Sequence, residues 1–450
     1  MLPAYAVVAG FTDGVRIMEA LIDRLIPIAA LLIIIASQLF WLRRLIEIGE
    51  RFIPGKRGRT VLKFIVIGTC LLFFGGVMVP WHSTSENGTH APTTLTLRSI
   101  LFVAPLSWWL VGSLTGLLLI MIFTTVDRAV RAAVWLYRKA RDAAAVQTAT
   151  SATGAIALDP PSPGRRRFLE QTAIALSATP FVASAYGLLY GRLDMEITRR
   201  RIILTRLPKA FEGFRIALLS DVHISPFMTG DQVQRYVKIT NELKADLIAL
   251  TGDFLADDPE AQGEVVHILG SLRAPYGVFG CLGNHEFMTE TEESITRLFA
   301  SEQIRILRQE RVPVQSHGET MNLIGIDYQQ ARFSSDHDGH LVDRYMEGNE
   351  KLVQPEMVNI LLSHNPNAFD RAAELGIDLM LSGHLHGGQM SLAFLYRGLS
   401  LARFETPYVS GWYEKSGSQL YVNRGIGTTG FPIRFGARPE ITVLELVRGT

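Results

Sequence analysis

Five short stretches of this 450-residue chain carry the residue types of a metal site. They read Asp221-Val-His223, Gly252-Asp253, Gly283-Asn284-His285, His364 and Gly383-His384-Leu-His386. The ligand candidates are Asp221, His223, Asp253, Asn284, His364, His384 and His386: two carboxylates, four imidazoles and one amide oxygen. Such a mixed nitrogen and oxygen set suits borderline divalent ions such as Mn, Fe, Zn or Co better than Ca or Mg. Seven ligands are too many for one catalytic ion that keeps an open position. They fit two ions sharing a carboxylate, a pair that clamps the attacking and leaving oxygens of an in-line phosphoryl displacement. A water bridging such charges loses a proton near neutral pH. Each stretch alone is weak, since Gly-Asp is a common turn and a lone histidine is usually a satisfied core residue. Their joint occurrence, each after a strand, carries the reading.

The elements that must position these residues begin near residue 195. Short apolar runs at 215–220, 246–250, 276–282, 321–326, 358–362, 378–381, 419–423 and 440–447 predict strands. Amphipathic stretches at 231–243, 260–272, 289–300 and up to about 374 predict helices. This alternation argues an α/β domain. The five motifs end five of the strands, and ligands in α/β folds gather beyond the carboxyl ends of strands. They are therefore expected to converge at one sheet edge. Cys70 and Cys281 are the only cysteines, which excludes a disulfide framework and a cysteine-built zinc site. A net charge of +1 excludes a strongly basic nucleic-acid binder, and no nucleic-acid partner is expected.

The first 190 residues differ. The whole chain is 48% apolar but only 19% charged, with a mean hydropathy of +0.19, and the oil is concentrated at its start. The runs 26–42 and 64–80 carry no charge, nor does 99–126. About 18 or more such residues suffice to cross a bilayer. A fourth stretch, 168–191, follows Arg165-Arg166-Arg167-Phe-Leu and contains Ala183-Ser-Ala185. It reads either as an uncleaved fourth span or as an internal twin-arginine-like signal anchor. Basic residues crowd the connections 43–63 and 128–167, whereas Arg98 stands alone between the second and third runs. The positive-inside rule then puts those basic connections in the cytoplasm and everything after residue 191 on the extracytoplasmic side. The expected organisation is a three-helix membrane region at 1–130 and a basic, Ala/Pro-rich cytoplasmic linker at 131–167. A fourth helix or signal anchor at 168–191 and a catalytic domain at 192–450 complete it.

The five motifs together resemble those of the calcineurin-like metallophosphoesterase superfamily. Leu-Ser-Asp-Val-His, Ser-His-Asn-Pro, Gly-His-Leu-His-Gly-Gly-Gln and the tail Tyr421-Val-Asn-Arg-Gly-Ile-Gly with Pro-Ile-Arg434 resemble its membrane-associated branch, which includes transmembrane and twin-arginine-exported members. The resemblance covers roughly 195–450 and implies a fold of two packed mixed β-sheets flanked by helices. It implies that Asp221, His223 and His386 hold one divalent ion, that Asp253 bridges, and that Asn284, His364 and His384 hold the second. It implies His285 as the general acid, a role its chemistry suits near neutral pH. The expected partners are a phosphoester substrate and the lipid bilayer. Some relatives act on a diacylated sugar nucleotide, so a lipid-linked substrate is one reading. Phe227, Met228, Phe394, Leu395 and Tyr396, in loops after motifs, suit either local packing or acyl contact. Arg424 and Arg434 are candidates to hold a phosphate. One departure stands out: many members carry an Asp three residues after the bridging one, where this chain has Ala256. His285 must then be oriented by Asp257 or by another group such as Glu286. This altered position also motivates the alternative of a metal-binding but non-hydrolytic signalling or scaffold protein. The segment Ser335-Asp-His-Asp-Gly-His340 is metal-like in composition but lacks a flanking strand, which favours a solvated loop.

Overall fold

The computed structural model describes residues 5–53, 55–78, 93–148, 163–329, 333–335, 341–343, 345–392 and 399–449. The loop 336–340 and the apolar trio 394–396 lie outside the described residues. The chain divides into two compact units, Met1–Val79 with Leu106–Ala185, and Pro80–Pro105 with Tyr186–Thr450.

The first unit is helical: α1 (Tyr5–Phe52), α2 (Lys56–Met78), α3 (Ala104–Thr148) and α4 (Pro163–Tyr186). Each apolar run of the sequence lies largely within one of these helices. Two segments, Ile28–Glu47 and Ser99–Arg141, are long and apolar enough among the described residues to cross a membrane. Helix α3 runs on through residues 131–148, part of the stretch expected as linker. The unit is apolar outside and polar inside. Leu32, Ile33, Phe64, Ile65 and Met121 are exposed, while Ser37, Gln38, Ser107 and Ser113 are buried. In a bilayer the lipid solvates the apolar exterior, and small and polar residues mediate helix contact. Gln38 donates to Ser113 Oγ (3.1 Å) and accepts from Trp109 Nε1 (2.7 Å), while Trp41 Nε1 reaches the Ser113 carbonyl (2.8 Å). Phe181 of α4 meets Trp41 and Trp108 edge to face and Trp109 at a tilt, and a Cβ on Gly112 would collide with its ring.

The second unit holds fourteen strands and five helices among its described residues. The strands are β1 (Glu196–Leu204), β2 (Arg215–Leu219), β3 (Leu247–Thr251), β4 (Val278–Cys281), β5 (Ile304–Ile306), β6 (Glu310–Ser316), β7 (Glu319–Gly325), β8 (Phe333–Ser335), β9 (Leu341–Asp343), β10 (Asn359–Leu362), β11 (Leu379–Ser382), β12 (Gly411–Lys415), β13 (Ser418–Val422) and β14 (Glu440–Arg448). The helices are α5 (Gly230–Glu242), α6 (Gln262–Leu269), α7 (Asn284–Met288), α8 (Glu292–Ser301) and α9 (Phe369–Glu374). Two six-stranded sheets form, in the orders β1-β14-β2-β3-β4-β5 and β12-β13-β11-β10-β7-β6, and β8 pairs with β9. Both large sheets are mixed: β2 to β5 run parallel, β14 opposes β2, and β6 and β12 are antiparallel edges of the second.

Strand periodicity explains the layers. Successive side chains point to opposite faces, so a strand buried on both faces feeds two cores. Ile216 and Leu218 of β2 enter the core between the sheets, with Ile360 and Leu362 of β10 and Leu379 and Leu381 of β11. The alternate residues Ala217 and Leu219 face the core that holds Val233, Val265 and Phe299 of α5, α6 and α8. Leu361 and Met380 face α9. The motif strands β2, β3 and β4 lie in one sheet, whereas β10 and β11 lie in the other. The expectation of a single sheet edge is thereby corrected: the motifs come from two sheets packed face to face.

Candidate metal centre

Three of the five motifs turn sharply off their strands. Asp221 (φ 52°), His223 (φ 46°), Asp253 (φ 55°), His384 (φ 78°) and His386 (φ 50°) all have left-handed backbone. A non-glycine residue costs of order 1–3 kcal/mol there, and such strain clusters at functional sites. The turns are held by one another. Asp221 N donates to the Gly252 carbonyl, and His223 N to the Asp253 carbonyl, both at 3.0 Å, so the β2 and β3 loops stay paired beyond the sheet. His384 N donates to both Asp221 carboxylate oxygens (2.9 and 3.1 Å), and His285 N to Asp253 Oδ1 (2.9 Å). Glycine is required where backbones meet: a Cβ on Gly383 would strike Ser220 Oγ and Asp221 Oδ2.

The donor atoms converge. Asp221, His223 and His386 form one group, His223, Asp253 and His285 a second, and Asp253, His364 and His384 a third, the ligand atoms of each lying within 4.8 Å of one another. Asp253 Oδ2 is 3.5 Å from His223 Nε2 and 3.2 Å from His364 Nε2. Asp221 Oδ1 is 3.4 Å from His386 Nε2. Asn284 completes the set: its Oδ1 is buried and has no hydrogen-bond partner. Such an orphaned acceptor is costly, and a cation would satisfy it. Six of the seven predicted ligands thus meet in the second unit's donor groups, and the seventh is the unpartnered amide.

Tautomers follow from carbonyl partners, since a carbonyl only accepts. His223 Nδ1 donates to the Leu255 carbonyl (3.1 Å), and His364 Nδ1 donates to the Thr251 carbonyl. His223 then presents an Nε2 lone pair, the orientation typical of a metal ligand with an outer partner, and His364 does so once it gives up the Nε2 proton that the neighbouring carboxylates favour. His386 differs. Its Nδ1 faces Arg434 Nη2 at 3.0 Å, and a guanidinium only donates. Its proton therefore sits on Nε2, 3.0 Å from His223 Nε2. For His386 to ligate through Nε2, that proton must leave or Arg434 must release Nδ1.

Burial pushes the His223 imidazole down to about 3 in spite of Asp253. Burial, His223 and Arg434 hold His386 well below its usual range. Both stay neutral, the form that binds metal. Burial disfavours charge on His364, yet the Asp253 and Asp221 carboxylates outweigh it and raise it to about 9. Burial would raise Asp253, but His364, His223 and His285 hold it below the ordinary carboxylate range. Burial raises Asp221. The negative field centred on Asp253 is one that a divalent cation would answer.

His285 lies at the cleft, and its Nδ1 donates to the Ala256 carbonyl. This replaces both groups expected to orient it. Asp257 is exposed, and Glu286 is engaged elsewhere. The buried Glu286 carboxylate accepts from the backbone N–H groups of Asp253 (3.0 Å), Phe254 (2.8 Å), Leu255 (3.3 Å) and Gly283 (2.9 Å). Burial and Asp253 raise its pKa against these donors. It is a scaffold for the β3 and β4 motif loops.

Arg424 is the candidate placed away from the cleft. Its Nε meets Glu440 (2.8 Å) and its Nη2 meets Glu196 (2.7 Å). Arg434, 1% exposed, donates to the carbonyls of Arg424, Gly425, Gly427 and Ala437 as well as touching His386. Glu405, absent from the sequence reading, and Gln389, the last residue of the quoted Gly-His-Leu-His-Gly-Gly-Gln motif, also shape the cleft of about 320 Å³. Glu405 Oε1 is 3.2 Å from His384 Nε2, and Gln389 clamps the 429–431 loop through Thr429 and Phe431. Gln389 follows directly on the Gly-His-Leu-His-Gly-Gly motif, which was the available signal; nothing local marks Glu405.

A profile described as "Calcineurin-like phosphoesterase" matches residues 214–388. A second, of a four-span type and described as "Probable Calcineurin-like phosphoesterase, transmembrane domain", matches residues 22–192. An uncharacterized metallophosphoesterase of Bacillus subtilis, YkuE, is 32% identical over 290 residues, 63% of this chain and 97% of its own. A bovine transmembrane protein with metallophosphoesterase domain is 30% identical over 293 residues, 62% of this chain and 63% of its own. The phosphodiesterase YaeI of Escherichia coli is 28% identical over 292 residues, 63% of this chain and 99% of its own.

Proposed function

The chain belongs to the calcineurin-like phosphoesterase family and is a metal-dependent phosphoesterase with an N-terminal transmembrane region, and from that premise we propose that it cleaves the phosphoester or pyrophosphate bond of a lipid-linked substrate at a centre of two divalent ions. The observation that carries this reading is the overlap of the donor groups: Asp253 belongs to two of the three, between the Asp221 side and the His364 side. On this reading Asp221, His223 and His386 hold one ion, Asn284, His364 and His384 the other, and Asp253 serves both. When bound, such a pair neutralises phosphoryl charge and activates water at neutral pH.

The chain's own groups do the rest. The Ala256 carbonyl fixes the His285 Nδ1 proton and turns Nε2 toward the reacting phosphoryl group, where a protonated ring hands its proton to the departing oxygen. Such a contribution is worth typically 10²–10⁴-fold. The carbonyl orients the ring as an aspartate does in many relatives, without its charge, and this speaks for hydrolysis over the non-hydrolytic scaffold reading. Arg424 orders the tail instead of holding phosphate. The four helices cross the bilayer, with the catalytic domain on the extracytoplasmic side, as the basic connections 43–63 and 128–167 indicate.

The test is hydrolysis of an aryl phosphodiester by the full-length protein in detergent. His285→Gln is expected to lose at least about 10²-fold in turnover, and Asp253→Asn to lose activity and bound metal together. Wild-type turnover in either variant would overturn the assignment. A preference for lipid-linked over water-soluble phosphoesters checks the substrate class.

A further inference from the structure

A second cavity, of about 240 Å³, lies in the catalytic unit beside the metal cleft. Its walls come from two places far apart in sequence. One wall is the 93–103 segment, which precedes α3 and packs with the catalytic unit. It is anchored there: the Thr93 carbonyl accepts from Gly230 N (3.2 Å), and Thr93 Oγ1 bonds the Glu264 carboxylate. Thr96 Oγ1 accepts from Ser99 N (3.1 Å) and meets Ser99 Oγ (2.8 Å) at the start of the turn Ser99–Val103. The opposite wall consists of catalytic loops, through Ile224, Phe227, Ala256 and Pro432. Arg192 fixes Phe227 by donating to its carbonyl (2.7 Å) and by lying over its ring.

Three features tie this cavity to the reaction. Ile224 follows the ligand His223. Ala256 gives its carbonyl to His285. Thr428 and Gly430 line the cavity on either side of Thr429, which lines the metal cleft. Most of the lining surface is apolar, and Arg98, Asp257 and Asp258 border it together with several hydroxyls. The turn Ser99–Val103 also opens the long apolar segment Ser99–Arg141, so the cavity is built where the chain enters its membrane-type sequence. A phosphoester whose phosphoryl group reaches His285 has this apolar space within one residue of it.

We propose that this cavity is the subsite for an apolar alkyl or acyl substituent of the substrate, with the 93–103 segment of the membrane-proximal chain as its specificity wall. The proposal rests on the phosphoesterase reading of the metal cleft. The cavity is finite, so the gain from a longer alkyl chain should saturate. Burial of a methylene is worth about 0.8 kcal/mol, about fourfold in kcat/KM.

The experiment uses full-length protein in a fixed detergent and a series of 4-nitrophenyl alkyl phosphodiesters from methyl to decyl. In the wild type, kcat/KM should rise by up to about fourfold per carbon and level off within the series. Val103→Trp, which adds bulk to the cavity wall, should flatten the rise with chain length. Leu101→Trp adds the same bulk at an exposed position of the same turn that does not line the cavity, and should keep the rise. A flat series in the wild type, or an unchanged slope in Val103→Trp, would overturn the subsite while the metal-cleft assignment stands. Failure to hydrolyse every ester including the methyl one would instead overturn the phosphoesterase reading, and the subsite with it.

Discussion

Replacing Glu286 with Gln is the sharpest test of how the metal loops are built. The carboxylate presents two acceptors to four backbone donors. Oε1 takes Phe254 and Leu255, and Oε2 takes Asp253 and Gly283. An amide has one acceptor oxygen. In either orientation two N–H groups face an NH₂ group and lose their partner. Each buried orphan costs about 1–3 kcal/mol, so the variant should be destabilised by about 2–6 kcal/mol. For a domain of this size that is roughly 4–20 °C in thermal midpoint. The loops concerned carry Asp253 and Asn284, so metal affinity should fall with stability, by about 10–100-fold as for other outer-shell changes. The assay is a thermal midpoint on purified full-length protein, with bound metal measured in parallel. Asp257→Asn, exposed and nearby, is the control and should change stability by under about 0.5 kcal/mol. A Glu286→Gln protein with an unshifted midpoint and full metal content would refute the reasoning.

Arg434→Met should destabilise the catalytic unit by at least about 3 kcal/mol, because the carbonyls of Arg424, Gly427 and Ala437 lose their donor; a midpoint within 2 °C of wild type on the scale above would contradict this. Gln38→Leu removes both polar contacts that join Ser113 and Trp109, and should lower the thermal midpoint of the helical unit by the equivalent of about 0.6–2 kcal/mol without changing kcat on a soluble diester. A kcat change there, with the midpoint unmoved, would speak against a purely architectural role.

Much of this was legible in the chain. The strand ends announced themselves because Asp-x-His, Gly-Asp and Gly-His-x-His follow apolar runs, and β2, β3, β4, β10 and β11 appear within two residues of their expected bounds. Elements without a strong apolar signal escaped. β1 carries three exposed arginines, Arg199 to Arg201, at positions where alternation would show, and β5 has only three residues. The division of the motif strands between two sheets was invisible from their local pattern, since every one of them is apolar on both faces. Long-range partners were the other blind spot. Ala256 holds His285 through a carbonyl, which no side-chain pattern reveals, and Glu286 is next to the right residue but serves four amides. Arg434 was noticed for its charge; its role as a donor to backbone carbonyls follows from complete burial.

The central claim is a two-ion centre, and metal reconstitution tests it most directly. Full-length protein stripped by chelator should hydrolyse no aryl phosphodiester, and activity should return on titration with Mn to a plateau at two equivalents per chain. In Asn284→Ala only one equivalent should bind tightly, with activity largely lost. Undiminished turnover after chelation, or a plateau at a single equivalent in the wild type, would contradict the account.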